Sequence, residues 1–127
     1  MAVDPQSSDL ARFTEEGGAD GPFVMLNLLR FAVDGRALYG EYSRRAGVFL
    51  TRHGGELLYA GDGSTPLVGE QGQSWDAVLL VRYPSRAAFS RMVADPEYQE
   101  ITGLRSRALT EAVLQPTEPW TASGTPR

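Results

Sequence analysis

The sequence contains no cysteine, no lysine and only one histidine. Without cysteine there can be no disulfide, no thiolate nucleophile, no iron–sulfur cluster and no cysteine-rich zinc site. Without lysine there can be no lysine Schiff base, which excludes pyridoxal phosphate chemistry of the usual kind. No apolar run approaches the ~20 residues of a membrane-spanning helix, and the amino terminus lacks the basic start and apolar stretch of a signal peptide. We therefore expect a cytoplasmic protein with no membrane partner.

The motifs that bind nucleotides and metals are missing as well. Neither G-x-G-x-x-G nor G-x-x-x-x-G-K-[ST] occurs among the 14 glycines, so the usual phosphate-binding loops are absent. There is no G-x-S-x-G elbow, and a serine triad would depend entirely on His53. One histidine with scattered carboxylates gives no ligand pair of the H-E-x-x-H type. We expect no cofactor: no metal, flavin or haem, although a single axial histidine could hold a haem.

Acidic charge is concentrated at the amino terminus. Residues 1–20 carry five acidic residues against Arg12 alone, whereas the rest of the chain balances 11 arginines with 11 acidic residues. Since this leaves no basic run or basic-aromatic stripe, we expect no nucleic-acid partner. The acidic start itself is typical of a solvated helix or tail.

The chain has the length and the hydrophobic content of one folded domain, with 127 residues of which 42% are hydrophobic. Its periodicities and turn residues predict secondary structure in this order: a short amphipathic helix after Asp4-Pro5, a strand over 23–31, a helix over 37–53, a strand over 56–61, a short irregular strand within 67–74, a strand over 75–83, a helix over 86–94 capped by Ser85, a helix starting at Asp95-Pro96 and running to 112, and a strand over 112–116.

The main elements follow the order strand–helix–strand–strand–helix–strand. This is the split βαβ plan of a ferredoxin-like α+β domain. We assign residues 22–116 to this domain, residues 1–21 to an acidic helix or extension, and residues 117–127 to a tail.

The first strand predicts a partner. Val24, Leu26 and Leu28 form one wholly apolar face, and the other face is apolar except for Asn27. Helices of this plan cover only one face of the sheet, so a second copy would cover the other, giving a homodimer whose two sheets enclose a shared barrel. We expect this interface to bury more than ~1,200 Å² and Asn27 to project into the enclosed space.

Asn27 and His53 are candidates for catalysis because of their positions in the predicted strand and helix. Asn27 is a lone amide on an apolar face, where an unmade hydrogen bond costs about 1–3 kcal/mol. It is satisfied either by the backbone or Tyr42, or by a substrate carbonyl or enolate oxygen. His53 ends its helix beside Gly54-Gly55, where it serves either as a C-terminal capping side chain or as a catalytic base.

Four further residues are candidates for proton transfer or substrate binding. Tyr42 and Tyr98 lie on apolar helical stripes, either as core residues with tethered hydroxyls or as site residues, and we assign Tyr42 to catalysis and Tyr98 to substrate binding. Trp75 is either a strand anchor or a flat wall for a substrate. Arg105 interrupts a buried stripe, so it pairs with an acidic residue, reaches solvent or meets an anionic ligand.

Several segments resemble one family. These segments are MLNLLRF, HGGELLYAG, WDAVLLVRYPSRAAF and DPEYQEITGLRSRAL. Together with Tyr42, they resemble, over residues 22–116, the family called domain of unknown function 1330. The resemblance implies a dimeric α+β barrel with a ferredoxin-like protomer. The wider superfamily looks like a collection of small cofactor-free monooxygenases, cyclases, isomerases and ligand binders, so it implies no common reaction.

These observations leave three functional hypotheses. The first is a cofactor-free enzyme acting on a small, largely apolar, oxygenated or carboxylated molecule by proton transfer, isomerisation, cyclisation or oxygenation. In it, Asn27 and Arg105 would stabilise negative charge, Tyr42 or His53 would move a proton, and Trp75 would shape the pocket. The second is a non-catalytic small-ligand carrier or sensor, and the third is a structural dimerisation module.

Overall fold

The fold follows the predicted order of elements. The computed structural model describes residues 2–16 and 21–127. Its elements are α1 (Ser7–Glu16), β1 (Phe23–Phe31), α2 (Gly35–Arg52), β2 (Glu56–Asp62), β3 (Ala77–Tyr83), α3 (Arg86–Ala94), α4 (Pro96–Gln99), α5 (Thr102–Ala108) and β4 (Leu109–Thr117). Gly17 and Gly18, the predicted end of the first helix, lie outside the described residues.

The strands form one antiparallel sheet in the order β2-β3-β1-β4, with β1 paired to both β3 and β4. This is the strand order of the ferredoxin-like fold, so the predicted α+β class is confirmed. In the centre of the sheet, Asn27 of β1 lies opposite Leu79 of β3 and Leu114 of β4.

The predicted helix starts are confirmed by their caps. The Ser85 hydroxyl accepts a hydrogen bond from the Ala88 amide at 3.0 Å at the start of α3, and Asp95 accepts one from the Glu97 amide at 3.0 Å at the start of α4. Such caps satisfy amide groups that have no partner within the helix, which is why serine and aspartate are readable as start signals.

Two predicted elements are wrong. Residues 67–74 form a loop and no strand. The Arg30 guanidinium donates hydrogen bonds to the carbonyl oxygens of Gly72 and Ser74, so these groups are not paired with another strand. The single helix predicted from 96 to 112 is two short helices, α4 and α5, and the second ends at Ala108, since residues from Leu109 onward form sheet hydrogen bonds with β1.

The two faces of the sheet differ in cover. Alternate β1 residues Phe23, Met25 and Leu29 are buried in the core. The helices supply the other side of this core with Tyr39, Tyr42, Phe49, Phe89 and Met92. On the opposite face, Val24, Leu26 and Leu28 are only partly buried. At the edge of the sheet, β2 leaves Leu57, Leu58 and Tyr59 exposed, and the register places Tyr59 on that open face.

The N-terminal segment packs onto this core. The acidic residues Glu15 and Glu16 are exposed, as expected for a solvated helix, but Leu10 and Phe13 contact the core. The Phe13 ring lies edge-on to Phe23 and Phe89, with ring centroids 5.5 and 5.4 Å apart. Aromatic contacts of this kind stabilise beyond the area they bury, so α1 is part of the packed structure.

The turn after β1 generates a test of this packing. Gly35 begins α2 directly against the end of α5, and a Cβ at this position would collide with the Ala108 carbonyl oxygen, which accepts a hydrogen bond from the Ala32 amide. We expect Gly35→Ala to lower the free energy of unfolding by about 1–3 kcal/mol, measured by urea denaturation. Gly47→Ala in the same helix meets open space and is the matched control, expected to raise it by up to ~1 kcal/mol. Equal effects of the two substitutions would contradict this packing.

Candidate functional site

A cavity of about 300 Å³ lies between the sheet and the helices. Its lining brings together four of the six candidate residues: Asn27 from β1, Tyr42 from α2, Tyr98 from α4 and Arg105 from α5. Because the helices cross the sheet on one face, side chains far apart in sequence converge there. The rest of the wall is mixed, with the apolar Met25, Phe89, Met92 and Leu114 and the polar Gln99, Thr102 and Ser106.

Among the residues that the structure describes, Arg105 is the one charged residue that is buried, with 6% of its surface exposed. Its Nη1 donates to the Val3 carbonyl oxygen at 2.6 Å and to Asp4 Oδ1 at 3.2 Å. Its Nη2 is buried and has no hydrogen-bond partner among the described residues. Of the alternatives open from the sequence, pairing with an acidic residue is therefore present. A buried donor without an acceptor is costly, so this guanidinium retains capacity for one more oxygen.

Tyr42 and Tyr98 share a hydrogen bond, with their hydroxyl oxygens 2.7 Å apart. Burial raises the pKa of Tyr42 well above its ordinary value, and the neighbouring Tyr98 raises it further. Burial also raises the pKa of Tyr98, although the hydrogen bond with Tyr42 and the charge of Arg105 oppose this. Both groups therefore remain protonated phenols at neutral pH, able to donate hydrogen bonds or protons.

Tyr39 is a site residue that the sequence analysis missed. It lines the same cavity, and its ring centroid lies 5.4 Å from that of Tyr42. Burial raises its pKa, and the positive charge of Arg105 opposes that rise. Its place on the same apolar stripe as Tyr42 was visible in the sequence, but only the fold brings it near the Arg105 charge.

The expected position of Asn27 is wrong. The residue shares the face of Met25 and Leu29, which is the face that the helices cover, so its side chain lies inside the protomer rather than between two sheets. Its Nδ2 donates to the Met25 carbonyl oxygen at 3.1 Å. Among the described residues its carboxamide oxygen accepts no hydrogen bond, which leaves this oxygen available to a ligand donor.

His53 and Trp75 lie away from this cavity. The backbone amide of His53 donates to the Phe49 carbonyl oxygen at 3.1 Å at the end of α2, but the capping role expected of its side chain is not present among the described residues, and its Nε2 lies 3.1 Å from Asp95 Oδ2. The hydrogen bond with His53 lowers the pKa of Asp95, helped by Arg52. The Trp75 ring lies under the Arg30 guanidinium, 4.0 Å from ring centroid to carbon, where it anchors the loop before β3.

A second cavity, of about 420 Å³, adjoins the first under α1. Leu10 and Phe13 of α1 line it, opposite Leu114 and Pro116 of β4. Asp4, Pro5, Met25, Phe89 and Leu114 line both spaces. The two are therefore adjacent chambers, one holding Arg105 and the tyrosines and the other more apolar, although the charged Asp9, Arg12, Glu16 and Arg86 also line it.

Two further properties concern the described ranges, 2–16 and 21–127. No group of three or more histidine, aspartate or glutamate side chains within them could hold a metal ion. No helix in the same ranges is long and apolar enough to span a bilayer.

The buried tyrosines predict how stability depends on pH. In the unfolded chain their hydroxyls ionise near the ordinary pKa of 10.0, whereas burial raises the pKa of Tyr39, Tyr42, Tyr83 and Tyr98 in the folded protein. Their contribution is complete below pH ~10 and is lost as pH rises toward the folded values. We expect the free energy of unfolding to fall above pH ~10, measured by urea denaturation at each pH. The absence of lysine and cysteine removes the other side chains that titrate nearby.

A matched variant isolates this effect. Tyr42→Phe with Tyr98→Phe removes two of the four phenols and should make the alkaline loss shallower. An unchanged slope in the double variant would show that these tyrosines do not carry the pH dependence.

Solved structures of low sequence identity share this fold. An uncharacterised NIPSNAP-like domain protein from Burkholderia xenovorans is 16% identical, with a TM-score of 0.57 over 86% of this chain and 94% of that one. A protein assigned to the antibiotic biosynthesis monooxygenases, from Bacteroides thetaiotaomicron, is 18% identical, with a TM-score of 0.56 over 78% and 90%. At these identities the likeness establishes the fold alone. Comparison with curated proteins gave no match.

A more similar structure and a family profile agree with each other. The crystal structure of a protein of unknown function from Rhodopseudomonas palustris is 33% identical to this chain, with a TM-score of 0.84 over 94% of this chain and 97% of that one. The profile of the family described as Domain of unknown function (DUF1330) matches residues 26–115, which include most of β1 and most of β4. The chain therefore belongs to the DUF1330 family.

Proposed function

We propose that the cavity between sheet and helices binds a small, largely apolar molecule that carries a carboxylate or an enolate oxygen, and that the protein acts on it without an organic cofactor. The reaction class is proton transfer, isomerisation, cyclisation or oxygenation at a carbon beside that oxygen. The observation that carries the proposal is the buried Arg105 guanidinium, which lines the cavity and has one nitrogen without a partner among the described residues.

The other polar groups of the cavity complement such a ligand. Burial raises the pKa of Tyr42 and of Tyr98, so both stay protonated, and the one hydroxyl hydrogen of the pair that is not shared between them can be donated to an oxygen on which negative charge develops. Asn27 lies on the same wall and can hold a second polar atom. In this scheme Tyr42 acts as a proton donor, and His53 and Trp75 take no part, because they line neither chamber.

A non-catalytic ligand carrier is the second candidate. Among the described residues that line the cavity, Asp4 is the only carboxylate, and it is already paired with Arg105. Proton abstraction needs a free base within hydrogen-bond reach of the substrate, and protonated tyrosines are poor bases. This favours binding without turnover unless Asp4 is released, so the two candidates differ in whether a bound molecule is changed.

We also propose that a second copy of the chain covers the open face of the sheet. Val24, Leu26 and Leu28 present apolar surface there, on the same face as Leu80 of β3 and the exposed Tyr59 of β2. Apolar surface of this extent on a small domain favours association. Because Asn27 points to the helices, this interface is separate from the cavity.

Mass spectrometry under native conditions tests for a ligand. We expect the purified protein to carry a co-purified molecule that, once extracted, ionises as an acid. Incubating the ligand-free protein with that molecule then separates the candidates, because an enzyme changes the molecule and a carrier returns it unchanged. An empty protein that also fails to bind a panel of small carboxylic acids would contradict both.

Replacing Arg105 tests the anion site. We expect Arg105→Met to weaken binding of a carboxylic acid about ten- to a hundredfold while changing binding of the matched alcohol little, since a charge-assisted hydrogen bond contributes roughly 1.5–3 kcal/mol. Arg107→Met, on the exposed side of the same helix, removes the same charge outside the cavity and is the control. Equal weakening of acid and alcohol with a lower melting temperature would assign Arg105 to structure alone.

Sedimentation tests the proposed dimer. At micromolar concentration we expect a species of twice the chain mass, because an interface above ~1,200 Å² supports stable association. We also expect the melting temperature to rise with protein concentration, as it does when association stabilises the fold. A monomer at these concentrations would overturn this proposal and leave the ligand site unaffected.

A further inference from the structure

Residues 2–5, which we call the closing segment, lie where the two chambers meet. Asp4 and Pro5 line both chambers, while Leu10 and Phe13 line only the apolar one. The segment therefore separates the polar groups around Arg105 from the apolar space under α1. Moving it would join the chambers into one elongated site.

A small number of contacts hold the closing segment. At its start, the Ala2 carbonyl oxygen accepts from the Ala112 amide at 2.9 Å, and the Val3 carbonyl oxygen accepts from Arg105. In α1, the Phe13 carbonyl oxygen accepts from Arg86 Nη1 at 2.9 Å and the Phe13 ring packs on Phe23 and Phe89, so α1 stays in place as the chamber wall when residues 2–5 move. No residue of the closing segment is fully buried. Segments with little buried apolar surface open at low cost in free energy.

Asp4 occupies the place at which a ligand carboxylate would meet Arg105. Its Oδ1 lies 3.2 Å from Arg105 Nη1, and its Oδ2 accepts from the Ser106 hydroxyl at 2.8 Å. Asp4 thus uses one nitrogen of the guanidinium, and Nη2 has no partner among the described residues. An arginine fork holds a free carboxylate best through two parallel N–H donors. A ligand able to take both nitrogens would therefore satisfy Arg105 better than Asp4 does.

We propose that the closing segment is a gate held by Asp4, and that the ligand is an amphipathic carboxylic acid that displaces it. The ligand carboxylate replaces Asp4 at Arg105, and its apolar part enters the chamber under α1. This inference rests on the proposed function, since it assigns Arg105 to the same ligand. It adds two points: the ligand is an acid with an apolar chain or ring, and Asp4 of the protein competes with that acid for Arg105.

The dimensions of the two chambers agree with such a ligand. Their volumes, about 300 and 420 Å³, lie in the range of roughly 300–1,000 Å³ that small-molecule sites occupy. Met25, Phe89 and Leu114 line both chambers, so an apolar ligand would meet continuous apolar wall where the partition now lies. The short polar chamber alone would exclude a long chain while the gate is closed.

The test compares octanoate with 1-octanol on the full chain. We expect Asp4→Asn to bind octanoate about tenfold more tightly than the wild type, because removing the competing charge increases the open, binding-competent fraction. Binding of 1-octanol should change little. Ser106→Ala breaks the other Asp4 contact without altering Arg105 and should shift octanoate affinity in the same direction. Asp62→Asn, on exposed β2, makes the same charge change far from the gate and should have no effect.

Hydrogen exchange measured by mass spectrometry reports the gate itself. If octanoate displaces the closing segment, its addition should speed exchange of the Ala112 amide, which donates to the Ala2 carbonyl oxygen while the gate is closed. Slower exchange there, together with equal octanoate affinity in wild type and Asp4→Asn, would overturn the gate while leaving the anion site intact. If octanoate binds neither protein, the proposed anion site fails and the gate fails with it.

Discussion

The burial of one guanidinium constrains much of this structure. A charged group can remain inside a protein only if hydrogen bonds and opposite charge replace the water it has lost. Arg105 obtains its partners from Val3 and Asp4, at the opposite end of the chain. Satisfying this residue therefore brings the N-terminal segment over the core, creates the partition between the chambers and sets the charge of the cavity.

The chemistry of the cavity follows from what surrounds that charge. Its neighbours include the phenols of Tyr39, Tyr42 and Tyr98, whose pKa values burial raises, so they add hydrogen-bond donors without adding negative charge. A positive group among protonated donors favours an oxygen anion, and Asp4 fills that position from within the chain. Release of Asp4 would both free the anion position and supply a carboxylate that could act as a base, so binding and catalysis would depend on the same event.

The fold separates two surfaces that the sequence suggested were one. Helices on one face of a four-stranded sheet leave an interior space above the sheet and an apolar face below it. Asn27 belongs to the interior, whereas Val24, Leu26 and Leu28 belong to the open face. A partner can cover the open face without contributing to the cavity, and a ligand can enter the cavity without disturbing that face.

The sequence by itself determined what depends on local rules. Strand alternation fixed β1, and the capping residues Ser85 and Asp95 fixed the starts of α3 and α4, because a cap acts on amide groups within the next turn. Only the tertiary structure decided which face of β1 the helices cover, since the sequence pattern cannot identify the core-facing side of a strand when both of its faces are apolar. It also decided that Arg105 pairs with Asp4, 101 residues away, and that His53 meets Asp95 outside the cavity. These pairings depend on how the chain packs, and no local pattern encodes a distance between residues so far apart.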